Sequence, residues 1–412
     1  SFNSTDLPAG VHTYTIYAND TNGNDATPIT ATFAITKAQS TIELRINNTQ
    51  DNYTTLQDVS INLSATLAYP SITDNILIYV NGSRAANSSS PAVNISTYTP
   101  GSYNITAVFT GNTNYTSDRV TYTLTVNDTE APIVNNHNAT PNLVTYGEEI
   151  VVLANITDNV DVQNATVFIV DTNYSMSGPP DVYNYTFNSS DYAVGNYTYI
   201  IYANDSAGNS ASPVQGSFNI TKASGNITLY LNDSRDNLTT DSGQTVNITA
   251  ILQAPQQADL IQIYRNGSRI ANSSSPATNF STQSVGFYNI TAVFAGNTNY
   301  TGDRETWYLT VTDGTPPVIN DINATPNSTF YGQNITIYAN VTDNINVANV
   351  TVMINDANET LAFAGGNLYS YSFNTSDYAA GVYTFWMYAN DTAGNNATPQ
   401  SDTFAILPAP SV

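Results

Sequence analysis

The sequence predicts an all-β protein built from tandem β-sandwich domains of two alternating types, with a period of about 185 residues. Three observations predict it. Words recur at fixed spacing: residues 388–399 (YANDTAGNNATP) have mates at 202–213 (YANDSAGNSASP) and 17–28 (YANDTNGNDATP), and Phe373, Phe187 and Phe2 are mates 186 and then 185 residues apart. A second set, NGSRAANSSSP from Asn81 and AVFTGNTNYT from Ala107, recurs from Asn266 and Ala292. Finally, short segments alternate apolar and polar residues between Pro, Gly, Asn and Ser, and no stretch of helical length carries a 3.6-residue apolar period.

In chain order, residues 1–37 read as the C-terminal half of a type 2 domain. Tyr14 and Ile16 on one strand and Phe33 and Ile35 on another give it an apolar face. Leaving such a face in water costs about 25 cal/mol per Å², so further repeats of a longer chain, or a neighbouring subunit adding a strand, are expected to cover it. Residues 38–127 form the first type 1 domain, with strands expected at STIELRIN, DVSINLSATL, NILIYVNGSR, GSYNITAVF and VTYTLTV. DTEAP at Asp128 opens a type 2 domain over 128–223; a second type 1 domain follows over 224–312. DGTPP at Asp313 then opens a type 2 domain over 313–407, and 408–412 are a tail. Proline cannot donate a ladder hydrogen bond and suits the entry to an edge strand after a short linker.

One local arrangement narrows the sandwich. Four domains carry Gly-x-Tyr and an apolar residue two later: Gly101, Tyr103, Ile105; Gly195, Tyr197, Tyr199; Gly286, Tyr288, Ile290; Gly381, Tyr383, Phe385. This is the pattern of the tyrosine corner at the start of strand F in immunoglobulin-like and fibronectin III-like sandwiches. His12 stands in its place in the opening fragment. In GVYTFWMYAND, Tyr383, Phe385 and Met387 should face the core, and Thr384, Trp386 and Tyr388 the outside.

At these residues a resemblance appears. The stretch GSYNITAVFTGNTNYTSDRVTYTLTV and its mate ending at Val311 resemble the group-three Ig-like repeats of bacterial and archaeal surface proteins, whose last hairpin carries a Gly-Asn/Asp-x-Asn-Tyr turn. The unit from DTEAPIV to NDSAGN resembles another prokaryotic Ig-like repeat. The Asn- and Tyr-rich wording is similar to adhesin-like and S-layer-associated proteins of methanogenic archaea. The resemblance implies a module class and an extracellular, cell-surface setting; it implies a particular role only weakly.

Composition excludes several functions. With 9 Lys+Arg against 32 Asp+Glu the formal net charge is −23, so nucleic acid and anionic membrane surfaces, which need basic patches, are not expected partners. The absence of cysteine removes disulfides, thiol chemistry and thiolate metal sites. No segment approaches the ~20 apolar residues of a membrane span, so no membrane insertion is expected from this stretch.

Asn-x-Ser/Thr is dense: 38 of 55 Asn lie in such sequons, where chance placement gives about 12. Part of the excess is strand alternation itself, since Asn-Ile-Thr at Asn104 simply points Ile105 inward. N-glycosylation is expected at Asn62, Asn81, Asn87, Asn104, Asn155, Asn196, Asn247, Asn266, Asn272, Asn289, Asn334, Asn340 and Asn390. NGS at Asn81 and NSS at Asn87 are read as turns, where alternation does not demand them. A sugar coat would supply solubility that so few charges cannot.

The candidate metal ligands are Asp158 and Asp205 in one type 2 domain and Asp343 and Asp391 in the other, on loops that could meet at one end of the sandwich, with Asp128 and Asp313 at the linkers. Carboxylate, amide and carbonyl oxygens are what Ca²⁺ takes, and Asp and Asn are also ordinary turn residues.

No catalytic residues and no other cofactor are expected. The two histidines, His12 and His137, align with Tyr197 and Ile322 in sister copies, which suits surface or packing roles better than nucleophilic catalysis. No Gly-rich phosphate loop follows a strand. The sequence therefore predicts a non-enzymatic extracellular structural protein, a glycosylated stalk, sheath or filament whose partners are other copies or further repeats. The alternative is an adhesin binding carbohydrate or a partner cell through sandwich-end loops. Residues confined to one copy would favour the adhesin.

Overall fold

The computed structural model describes residues 1–256 and 258–410. It falls into two compact units, Ser1–Ile220 and the chain from Thr221 onward. Within each, alternation of apolar and polar residues folds as the strands that the sequence predicts.

In the first unit, a three-stranded sheet joins Thr41–Ile46, Ile61–Tyr69 and Ala92–Ser96. A five-stranded sheet runs in the order Tyr53–Leu56, Asp118–Asn127, Gly101–Phe109, Asn75–Val80, Ser83–Ser89. Tyr53–Leu56 pairs in parallel with Asp118–Asn127, and the other pairings are antiparallel. Every second residue points inward, so Ile42, Leu44 and Ile46 meet Ile61, Leu63, Ile76, Ile78, Ile105 and Phe109 in one buried core. Residues from Ile133 to Thr221 repeat the three-plus-five arrangement around Ile150, Val152, Val167, Tyr199, Ile201 and Phe218. The second unit contains the same pair of sandwiches, with an extra short strand, Ala362–Gly365, on the small sheet of the last one.

The corner tyrosines behave alike. Each hydroxyl donates to the main-chain carbonyl four residues earlier: Tyr103 to Thr99 at 2.9 Å, Tyr197 to Ala193 at 2.8 Å, Tyr288 to Ser284 at 2.8 Å and Tyr383 to Ala379 at 2.9 Å. Ile105, Tyr199, Ile290 and Phe385, two residues on, are buried. His12 keeps the contact, its Nε2 lying 2.6 Å from the Pro8 carbonyl oxygen. In the last sandwich Phe385 and Met387 are buried and Trp386 is exposed, as the alternation requires.

The opening hairpin pairs Gly10–Ile16 with Ile29–Ile35. Phe33 gathers Phe2, His12 and Tyr14 around it at ring separations of 5.0, 5.5 and 6.3 Å. Tyr14 and Ile16 stay about half exposed, whereas their mates Tyr199 and Ile201 are buried.

One local expectation is corrected. Asn81 and Gly82 do form a tight hairpin turn, both with positive φ (49° and 79°). Asn87, however, lies inside the strand Ser83–Ser89, and its mate Asn272 inside Ser268–Ser274. Those polar residues belong to the outer strand of the five-stranded sheet, where both the turn-like composition and an exposed edge tolerate Asn and Ser, and propensity alone does not separate them.

Candidate metal centres

The linkers entering the two complete type 2 sandwiches each carry an aspartate, and folding brings two loop aspartates to it. Asp158 follows the strand Glu149–Thr157, and Asp205 follows Gly195–Asn204. Their carboxylate oxygens and that of Asp128 all lie within 4.8 Å of one another. Asp313, Asp343 and Asp391 form the same group in the second unit. The four aspartates singled out on the loops are thus joined in pairs, each pair completed by the linker aspartate.

Each member is held by its own turn. Asp158 Oδ2 accepts from the N–H groups of Val160 (2.9 Å) and Asp161 (3.1 Å), and Asp343 Oδ2 from that of Ile345 (2.8 Å). Asp128 Oδ1 accepts from Glu130 N–H and Asn159 Nδ2, both at 3.1 Å; Asp313 Oδ1 accepts from Thr315 N–H (3.2 Å) and Asn344 Nδ2 (3.0 Å). Asp391, 1% exposed, is wrapped more fully: Oδ1 accepts from Ala393 and Asn395 N–H, and Oδ2 from Asn395 Nδ2 at 2.6 Å. Asp205 does the same with Asn209.

The other oxygens of the first four have no such partner. Asp128 Oδ2, Asp158 Oδ1, Asp313 Oδ2 and Asp343 Oδ1 are buried and accept no hydrogen bond. A buried polar atom without a partner is costly and calls for a specific explanation. Burial pushes the Asp391 and Asp205 carboxyls up, but hydrogen bonds from the Asn395 or Asn209 side chain and from main-chain N–H groups outweigh it, holding both below the ordinary carboxylate range. They are therefore anionic at neutral pH. Among the described residues the two ion pairs are Arg45–Glu43 and Arg235–Glu305, and neither touches these clusters.

The clusters sit where one sandwich hands over to the next. In the first unit Gln57, from the type 1 sandwich, donates to Glu130 Oε1 at 2.8 Å and accepts from Asn159 Nδ2 at 3.3 Å. Asn209 and Asn395 each also reach a linker carbonyl, Asp128 O at 3.4 Å and Asp313 O at 3.0 Å. The sequence reading missed these asparagines. Their signal is the recurring Asp-x-x-Gly-Asn, which puts the amide four residues after the carboxylate.

A second kind of seam enters each type 1 sandwich, and the sequence reading missed it too. Lys37 Nζ donates to Asn112 O at 2.6 Å, Ala38 N–H to Asn114 O at 2.9 Å, and Thr116 N–H back to Ala38 O at 2.9 Å. Lys222, Ala223, Asn297, Asn299 and Thr301 repeat this in the second unit. The receiving turn is the Gly-Asn-Thr-Asn-Tyr motif. Asn112 Oδ1 accepts from both Asn114 and Tyr115 N–H at 2.9 Å, and a Cβ on Gly111 (φ +78°) would lie 2.9 Å from Tyr115 O and from Ser117 N.

The thirteen sequon residues singled out divide by burial. Asn81, Asn87, Asn104, Asn196, Asn266, Asn272, Asn289 and Asn334 are exposed; Asn62, Asn155, Asn247, Asn340 and Asn390 are half-buried. Asn155 Nδ2 already donates to Asp181 O at 2.8 Å. His137 is a packing residue, edge-on to Tyr199 with Nδ1 3.1 Å from its hydroxyl.

With the geometry in place, the class of protein is a tandem array of Ig-like β-sandwich domains, and residues 317–385 match the family model described as a bacterial Ig domain. Among solved structures, the chain is similar to the Ca²⁺-stabilized adhesin with which an Antarctic bacterium binds ice, at 13% identity and a TM-score of 0.37, covering 90% of this chain and 100% of that one. It is also similar to an I-band fragment of titin (14%, TM-score 0.35, 68% and 100%) and to the eight N-terminal Ig domains of Down Syndrome Cell Adhesion Molecule (12%, TM-score 0.31, 100% and 54%). A comparison with curated proteins returned no match. No helix among the described residues is long and apolar enough to cross a membrane.

Proposed function

We propose that this chain is a non-enzymatic extracellular structural protein, an Ig-like repeat array that builds a glycosylated cell-surface stalk, sheath or filament. One observation carries the reading: the contacts that tie each entering linker to its own sandwich recur. The Lys–Ala linker that bonds the Gly-Asn-Thr-Asn-Tyr turn appears at Lys37 and again at Lys222, and the linker aspartate with its two loop partners appears at Asp128 and again at Asp313. A repeat array that serves as a scaffold keeps the same linker contacts in every copy. Of the thirteen sequon residues singled out, the eight exposed ones are the sites best placed to carry glycans, and further repeats or other copies are the expected partners. Electron cryo-microscopy of the native material tests this. Regular assemblies with sugar density on those asparagines support it; dispersed chains with bare side chains sink it.

The adhesin reading has one observation of its own. Phe287 and Tyr308 stack with ring centroids 5.2 Å apart at 18°, and are 63% and 42% exposed. Their mates in the first type 1 sandwich are Ser102 and Thr123, so this aromatic pair belongs to one copy alone. Aromatic faces of this kind take up apolar sugar faces. A glycan array probed with the full chain and with Phe287→Ser/Tyr308→Thr decides it: binding lost in the variant supports an adhesin, and no binding by either removes that reading.

A further inference from the structure

We propose that each three-aspartate cluster binds one Ca²⁺ ion, Asp128, Asp158 and Asp205 holding one and Asp313, Asp343 and Asp391 the other, and that the ion fixes the linker aspartate to the two loops of its sandwich. Three independent features meet here. Carboxylate oxygens from three separate chain segments lie within 4.8 Å of one another, and like charges brought so close repel unless a cation lies among them. Two oxygens in each cluster are buried and accept no hydrogen bond. One of them, Asp313 Oδ2, belongs to a side chain only 9% exposed. The same oxygen is left over at equivalent positions in both copies: Oδ2 of the linker aspartate and Oδ1 of the first loop aspartate. The turns use one oxygen of the linker aspartate and one of the first loop aspartate and leave the other free, in both domains alike, whereas Asp205 and Asp391 accept on both oxygens.

Donor chemistry selects the metal. Every candidate ligand is a hard oxygen, with no cysteine in the chain and no histidine in either cluster, which disfavours zinc and copper. Ca²⁺ accepts six to eight oxygens from carboxylates, carbonyls and water in loose geometry; Mg²⁺ demands a strict octahedron and keeps its waters. The opening hairpin supplies an internal comparison. Asp20 builds the same Asp-Asn turn, accepting from Asn22 and Asn24 N–H and from Asn24 Nδ2, all at 2.9 Å. It is exposed and belongs to no cluster. The turn by itself therefore brings no second carboxylate near, and among the carboxylates of the described residues the buried, unpartnered oxygens all belong to the three-aspartate groups.

The purpose of the ion, to stiffen a joint, rests on the structural reading above, but its binding does not, and the test separates the two. Isothermal titration of Ca²⁺ into the calcium-stripped full chain should show two ions per chain, with Mg²⁺ binding at least tenfold more weakly. Asp313→Asn should leave one ion, Asp128→Asn should leave the other, and Asp20→Asn should keep two. Saturating Ca²⁺ should raise the melting midpoint of the unsubstituted chain by roughly 5–10 °C, the scale expected for a ligand at about a hundred times its Kd. Circular dichroism of each variant without calcium confirms that it is folded. No saturable binding at millimolar Ca²⁺, two ions retained by both Asp313→Asn and Asp128→Asn, or equal affinity for Mg²⁺ overturns the proposal. Any of those results leaves the repeat-array reading standing.

Discussion

Tyr199 and Gly216 face each other across the strands Gly195–Asn204 and Val214–Thr221, and a Cβ on Gly216 would lie 2.2 Å from the Tyr199 hydroxyl and ring. Tyr199 in turn lies 3.1 Å from His137 Nδ1. In the sister sandwich the three positions are Phe385, Asp402 and Ile322. Between these two sandwiches the set changes together: the buried hydroxyl of Tyr199 sits between a histidine and a glycine, and Phe385, which has none, has an isoleucine and an aspartate there.

Gly216→Ala should therefore destabilise the chain by about 1–3 kcal/mol, the usual cost of overpacking. Adding Tyr199→Phe should recover part of it, since the hydroxyl is among the atoms the new methyl meets. Urea unfolding of the two single variants and the double variant gives the coupling; strictly additive losses would show that the pair is independent.

Tyr383→Phe removes the corner hydrogen bond to Ala379 while keeping the ring packed against Phe404, with which it stacks at 5.5 Å. A loss of about 1 kcal/mol is expected, the net worth of one such bond. Denaturant titration should show a lower midpoint at unchanged slope. Val382→Ala on the outer face, 74% exposed, serves as the neutral control.

Alkaline pH should unfold the protein through its tyrosines. Burial is the chief cause that pushes Tyr98, Tyr185, Tyr192, Tyr199 and Tyr378 above the ordinary value of 10.0. A phenol raised in the folded state releases its proton more readily when unfolded. The stability it contributes is thus complete below pH 10 and falls as pH rises from there toward the folded values. Melting midpoints between pH 8 and 11.5 should be level at first and then drop above about pH 10, and absorbance at 295 nm should show a class of tyrosines ionising late.

Gly111→Ala should weaken the joint that receives Lys37 and Ala38. The new Cβ would press on Tyr115 O and Ser117 N in a left-handed conformation that costs an L-residue roughly 1–2 kcal/mol. Hydrogen exchange read by mass spectrometry should speed up at Ala38 and Thr116, whose N–H groups bridge the seam, ahead of the core strands; uniform protection would argue against a local joint.

The alternating sandwiches, their inward faces and the corner tyrosines follow from the sequence alone, because strand burial and turn chemistry are local and are written at periods of two residues and one domain. Asp158, Asp205, Asp343 and Asp391 are visible there as turn aspartates, and repetition marks them. What only the tertiary structure decides is that Asp128 joins the first pair and Asp313 the second, and that one oxygen of each linker aspartate and first loop aspartate is left buried without a donor. That depends on where the linker lands against loops 30 and more residues away in the chain. Such a meeting is set by the packing of whole strands, and no local pattern records it.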